Sequence, residues 1–166
     1  WTFKYHDQRD QELMIWPPYG TNPVGSGALT ETQAVQLRAN YGAKLSMIDH
    51  WLGRVLDAFD RNGLWNDTAV VLCTDHGHYL GEHGGAFGKP GLPVYNTLGH
   101  IPLLISWPGA APGLCDALTT MVDIHATIAD LFGAEPRHRT HGRSLRPLLN
   151  GQVDSVREWV LQGYFG

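Results

Sequence analysis

The sequence predicts an α/β protein. Three observations carry that prediction. Residues 30–62 hold an apolar stripe at helical spacing, and 69–73 and 101–106 are short apolar runs of strand length. Residues 119–132 repeat the helical spacing. Helix-period and strand-like segments following one another along one chain are the mark of this class.

The first helix begins near Thr30, which with Gln33 fits a capping box, and Glu31 suits the first turn. Leu37, Tyr41, Leu45, Ile48, Leu52, Val55, Leu56 and Phe59 recur at three-to-four spacing and mark one apolar face for burial. Asn62-Gly63 is the stop. Ala69–Cys73 is short and rich in β-branched residues, as a buried strand is. Ile101–Ser106 is the second strand; Pro102 is tolerated at its start, and Trp107-Pro108-Gly109 ends it. Thr119–Phe132 is a second helix ended by Gly133, with Asp123 placed to face its N-terminus. A short helical turn is expected at Leu145–Leu149 and one more strand at Val156–Leu161. Proline and glycine mark residues 1–27 as loop. These segments divide the chain into an irregular lead-in (1–29), an α/β core (30–134) and a tail (135–166).

Hydrophobic residues make up 43% and charged residues 17% of the 166, the balance of a globular core. The net charge of −4 argues against non-specific nucleic-acid binding, which needs a basic surface. No apolar run approaches the roughly 20 residues of a membrane span. The chain opens at Trp1 without a secretory signal, which suggests a piece of something longer. Cys73 and Cys115 read as two thiols without a disulfide framework, and compartment and oligomeric state stay open.

The chemistry gathers between the two strands, in TDHGHYLGEHGGAFGKPG from Thr74 to Gly91. In an open α/β sheet, reacting groups collect just beyond the carboxyl ends of strands. Asp75 and His76 stand at such an end. They fit half of a divalent-metal site, a hard cation being preferred for the carboxylate, or equally a turn cap beside an exposed imidazole. Lys89, set between Gly88 and Pro90, is a cation for an anionic transition state or a solvated surface lysine. His78 and His83 are acid–base groups or anion donors, with Glu82 orienting His83. His100 belongs to the same region if the loop folds back, and is otherwise a buried, hydrogen-bonded histidine. The spacing His76-x-His78 with Glu82 and Gly88 also touches a cupin motif, but a cupin is all-β and this motif follows a helix some thirty residues long.

The order of these motifs resembles the C-terminal half of a sulfatase catalytic domain, in the alkaline phosphatase-like superfamily. The residues that carry the likeness run from Tyr41–Leu56 through Gly63-Leu-Trp-Asn-Asp-Thr68 and Val70-Val-Leu-Cys-Thr-Asp75-His76-Gly77. They continue with Leu80-Gly-Glu-His83-Gly, Gly88-Lys89, Ile101–Gly109, Val122-Asp-Ile-His-Ala-Thr127 and Gly142–Gly151. The resemblance implies a three-layer sandwich, a central mixed sheet flanked by helices. It implies that Asp75 and His76 are metal ligands and that Lys89 contacts the sulfate, with His83 or His78 protonating the leaving alcohol and His100 near the substrate. The metal is expected to be Ca2+, with Mn2+ or Mg2+ as alternatives, and the substrate a small aryl or sugar sulfate. The family's two other metal-binding aspartates, and its Cys or Ser in C/S-x-P/A-x-R that becomes formylglycine, have no counterpart here. Cys73 precedes Thr-Asp-His and Cys115 precedes Asp-Ala-Leu. The expectation is therefore an incomplete sulfatase, inactive alone. The rivals are a phosphodiester or phosphonate monoester hydrolase of the same superfamily, kept open by histidine at position 76, and a fragment that only binds metal.

Overall fold

The computed structural model describes residues 29–89 and 93–163. The expected lead-in loop, 1–27, lies outside the described residues. The chain divides into two units, Trp1–Leu64 with His76–Pro102 and Gly163–Gly166, and Trp65–Asp75 with Leu103–Gln162. Among the described residues no helix is long and apolar enough to cross a membrane.

In the first unit, helix α1 spans Glu31–Asn62. Thr30 accepts from the Gln33 amide while the Gln33 side chain returns to the Thr30 backbone, which satisfies donors that a helix start leaves orphaned. Gly63 ends the helix at φ 62, a left-handed conformation glycine reaches without a Cβ penalty. The buried face is Ala34, Gln36, Leu37, Ala39, Asn40 and Ala43. Against it lies a hairpin, β2 (Tyr79–Leu80) paired antiparallel with β3 (Phe87–Gly88), Tyr79 opposite Gly88 and Leu80 opposite Phe87. Leu29, Ala34, Leu37 and Phe87 form the core, with Leu80 packed on its edge. Burying side chains of the size of Phe87 and Leu37 stabilises by roughly 1.5–3 kcal/mol each. Arg38 locks the hairpin to the helix, donating from Nε to the Leu80 carbonyl at 2.8 Å with its guanidinium over the Phe87 ring.

Among the described residues, the fully buried part of α1 runs from Ala34 to Ala43, and Leu52, Leu56 and Phe59 further on are half-buried. Leu45, Ile48 and Val55 are more than half exposed among the described residues. Periodicity tells which residues share a face, whereas a neighbour decides how much of it is buried.

In the second unit, β1 (Val70–Cys73) pairs antiparallel with β4 (Leu103–Ser106), Val70 facing Ser106 and Cys73 facing Leu103. The ladder starts at Leu103 instead of Ile101 because Pro102 has no N–H to donate. Cys73 is half-buried, Cys115 is exposed, and both are free thiols. Helix α4 spans Met121–Leu131, capped by Thr120 and Asp123 in a second capping box. Asp123 is fully buried and also accepts from the Arg143 amide at 2.8 Å and from the Arg157 guanidinium. Thr127, buried one turn on, donates to the Asp123 carbonyl and accepts from the Leu145 amide. These bonds lead the chain into the short α5, Arg146–Leu149.

The expected strand at Val156–Leu161 does not form. Side chains claim what a ladder would use: the Arg143 guanidinium donates to the Val156 carbonyl, and Arg157 is turned inward to Asp123. Propensity alone does not make a strand without an adjacent edge.

Candidate active site

Asp75 follows β1 by two residues and is exposed; the Thr74 hydroxyl approaches its Oδ1 at 3.4 Å. His76 is half-buried, and its Nδ1 lies 2.7 Å from the Gly77 carbonyl. A carbonyl only accepts, so the contact is a hydrogen bond when Nδ1 carries the proton, and Nε2 is then the nitrogen with a lone pair. A backbone carbonyl fixing the tautomer in this way is a common support for a metal-binding imidazole. Gly77 is packed tightly: its amide donates to the Leu98 carbonyl at 2.8 Å, and a Cβ there would stand 1.9 Å from the Thr97 carbonyl oxygen. This contact holds the backbone just after the Asp75–His76 pair against α3 (Asn96–Gly99).

His78 is half-buried and stacks on Tyr41 of α1, centroids 5.5 Å apart. Its pKa is pushed below the ordinary histidine value, first by burial and then by the positive neighbours His76 and Lys44, against the pull of Glu82. The hairpin ladder ends at Tyr79 opposite Gly88, one residue short of His78 and Lys89. Lys89 is exposed.

Glu82 to Gly85 makes a single turn, α2, that is helical in name only: His83, Gly84 and Gly85 have φ of 54, 83 and 86. His83 is the one non-glycine residue with a positive φ among those described. That backbone costs a side-chain-bearing residue about 1 kcal/mol or more. Its ring stacks on Tyr95 with centroids 3.7 Å apart, and Tyr79 meets it edge-on at 5.4 Å. The Tyr79 hydroxyl donates to the Pro93 carbonyl and accepts from the Tyr95 amide, both at 3.0 Å, so buried Tyr79 ties the 93–95 backbone to the hairpin. Glu82 does not orient His83 as the sequence suggested. Its Oε2 accepts from the Leu80 amide at 2.6 Å and closes the hairpin instead.

His100 is the residue after α3 and is exposed, not the buried histidine of the alternative reading. Among the described residues no hydrogen bond or ring contact joins it to the other candidates. Within the first unit, His76 and His78 precede β2, Lys89 follows β3, His83 sits at the turn of the same hairpin, and among the described residues no hydrogen bond or ring contact joins His100 to them. Among the described residues no group of three or more His, Cys, Asp or Glu side chains is arranged to hold a metal.

Sequence reasoning missed Tyr41 and Lys44 as neighbours of His78, and Tyr95 as the support of His83. The three-residue spacing of Tyr41 and Lys44 does put them on one helix face. Nothing local says which loop that face meets.

A profile of the Sulfatase family matches residues 2–134. The choline-sulfatase of Rhizobium meliloti (strain 1021) is 34% identical over 148 residues, which are 87% of this chain and 27% of that protein. A structure solved in complex with its substrate, D-glucosamine-2-N,6-O-disulfate, superposes with a TM-score of 0.69 at 28% identity, over 82% of this chain and 28% of that one. The phosphonate monoester hydrolase of Agrobacterium radiobacter superposes with a TM-score of 0.66 at 31% identity, over 74% of this chain and 24% of that one. This chain spans about a quarter of the length of the proteins it matches.

Proposed function

Since this chain belongs to the sulfatase family, we propose that it supplies part of the catalytic apparatus of a sulfate-ester hydrolase. What supports the reading most directly is the match of the Sulfatase profile to residues 2–134, which takes in the loop carrying Asp75, His76, His78, His83 and Lys89.

In this reading Asp75 and His76, the latter through Nε2, hold a divalent cation, Ca2+ first and Mn2+ or Mg2+ as alternatives, with ligands contributed by residues outside this chain. The exposed carboxylate and the fixed imidazole tautomer fit that task. Such a cation supplies Lewis-acid charge at the sulfate oxygens. Lys89 places an ammonium against the same oxygens, where charge builds in the transition state. The proton for the leaving alcohol comes from His83 or His78; burial and the neighbours His76 and Lys44 lower the His78 pKa, which disfavours its charged form. His100 contributes to the walls of the substrate site. The nucleophile, expected to be a formylglycine, comes from residues outside this chain, because neither cysteine here stands in the required context. The substrate class is a small aryl or sugar sulfate.

A second reading is cleavage of a phosphodiester or phosphonate monoester. The likeness to the Agrobacterium hydrolase at 31% identity favours it. The test is hydrolysis of an aryl sulfate against an aryl phosphate diester by the full-length protein, with Asp75→Ala as control. A sulfate preference abolished in the variant is the expected result. Preference for the diester moves the protein to the second reading. If neither ester is cleaved and Asp75→Ala alters neither metal affinity nor melting temperature, the catalytic reading is wrong.

A further inference from the structure

Residues 135–146, EPRHRTHGRSLR, carry four arginines against a single glutamate, and two histidines besides. The whole chain has 12 lysines and arginines against 16 acidic residues, so a third of its cations fall in twelve positions of a net-acidic molecule. Two of the four are spent internally. Arg143 donates to the Val156 carbonyl, and Arg146 pairs with Asp130 at 3.2 Å and lies over the Trp107 ring. Arg137 and Arg139 are exposed, and among the described residues neither guanidinium has an acceptor.

The segment is pinned at both ends. At the C-terminal end of α4, Gly133 turns the chain at φ 61 and the Ala134 amide donates to the Ala129 carbonyl at 2.8 Å. At the N-terminal end, the Arg143 amide donates to buried Asp123. Gly142 lies so close that a Cβ would stand 2.0 Å from the Val122 carbonyl oxygen. Between these anchors the chain runs back along the side of α4, about 16 Å at the helical rise per residue. Midway, the His138 ring lies 5.8 Å from that of His125 on the helix. The result is a row of exposed cations and imidazoles whose ends are already fixed, so little ordering entropy remains to oppose binding.

We propose that residues 137–141, with His125, form a binding surface for a sulfated polysaccharide. Guanidinium forks suit tetrahedral oxyanions. A row of cations suits anions repeated along a chain. The proposal rests on the sulfatase reading for the identity of the anion.

The test measures binding of the full-length protein to a heparin decasaccharide, to the same oligosaccharide after desulfation, and to a DNA duplex of matched charge. Arg137→Ala/Arg139→Ala is the variant; both side chains are exposed, so folding is not at stake. The expected result is a loss of heparin affinity of about tenfold or more, with the salt slope reduced by up to about two, as for two lost ion contacts. Hydrolysis of a small aryl sulfate by the double variant should be unchanged. Unaltered heparin affinity and slope overturn the proposal, as does DNA binding equal to heparin binding or retention by the desulfated oligosaccharide. If the unaltered protein binds heparin through these arginines yet cleaves no sulfate ester, the strip stands and the hydrolase reading falls.

Discussion

The imidazole of His83 lies 3.7 Å from the ring of Tyr95, their planes 8° from parallel. Tyr95 is in turn fixed through its amide to the buried Tyr79 hydroxyl. The histidine's direction is therefore set by an aromatic wall and a left-handed backbone, not by a carboxylate partner. If His83 gives the proton to the departing alcohol, its value depends on how poor that leaving group is. His83→Asn keeps a residue that tolerates the left-handed region. It should cost about 10²–10⁴-fold in kcat on alkyl or sugar sulfates and far less on a nitrophenyl sulfate. Tyr95→Leu should follow the same pattern more weakly. An equal loss across leaving groups means that His83 only shapes the turn.

Gly77 and Gly53 make opposite predictions from one kind of substitution. A Cβ on Gly77 would overlap the Thr97 carbonyl, whereas one on Gly53, within α1, meets nothing inside 4 Å. Gly77→Ala should therefore destabilise by about 1–3 kcal/mol, as overpacking does. If His76 holds a metal as proposed, the variant should also weaken metal affinity, because this contact holds the backbone behind His76. Gly53→Ala should stabilise by up to about 1 kcal/mol. Chemical unfolding of the two variants side by side decides it; a neutral Gly77→Ala would show that the 77–97 contact yields without cost.

What the sequence revealed is what local chemistry determines. The capping pair Thr30–Gln33, the stop at Gly63 and the place of Asp123 at the start of α4 all depend on chemistry within a few residues, and each was legible; the Thr120–Asp123 pairing was not read. So were the two apolar strands, apart from the register shift that Pro102 imposes. The β2–β3 hairpin escaped because two-residue strands have no period and its turn is built from successive left-handed residues that no common loop signature announces. Asp75 and His76 drew notice as candidates because they are consecutive, and Lys89 because glycine and proline frame it. Tyr41 and Tyr95 were not, since their partners His78 and His83 lie 37 and 12 positions away in the chain. Val156–Leu161 misled because Arg143, arriving from elsewhere, takes the Val156 carbonyl, and its own Arg157 is turned inward to Asp123.

Asp130 makes stability depend on acid. The Ser144 hydroxyl foremost, and then Arg146, hold its carboxyl below the usual 3.8, with partial burial pulling the other way. A carboxylate with a depressed folded pKa adds stability above its unfolded pKa, and that contribution disappears as pH falls through the folded value. Asp130→Asn should therefore lower Tm at pH 6 and converge with the unaltered protein well below pH 3.8. The effect is small, because the carboxyl is 39% exposed and solvent screens it. A Tm difference that persists undiminished in acid would show that the variant acts through packing instead.

The strongest structural prediction belongs to Asp123. Its carboxylate is fully buried and gathers the Thr120 amide, the Arg143 amide and the Arg157 guanidinium, joining the start of α4 to two later stretches of chain. Asp123→Ala leaves two amides and a largely buried cation without an acceptor, and Arg157 is only 13% exposed. Breaking one side of such a pair costs about 3–5 kcal/mol, mostly for the charge left behind. Removing that charge as well should recover much of the loss, so Asp123→Ala/Arg157→Leu is expected to be more stable than Asp123→Ala alone. The two single variants and the double, compared by urea unfolding, give the coupling energy directly. Additive losses, with no recovery in the double variant, would mean that Asp123 works through its helix cap and backbone amides and that Arg157 is incidental.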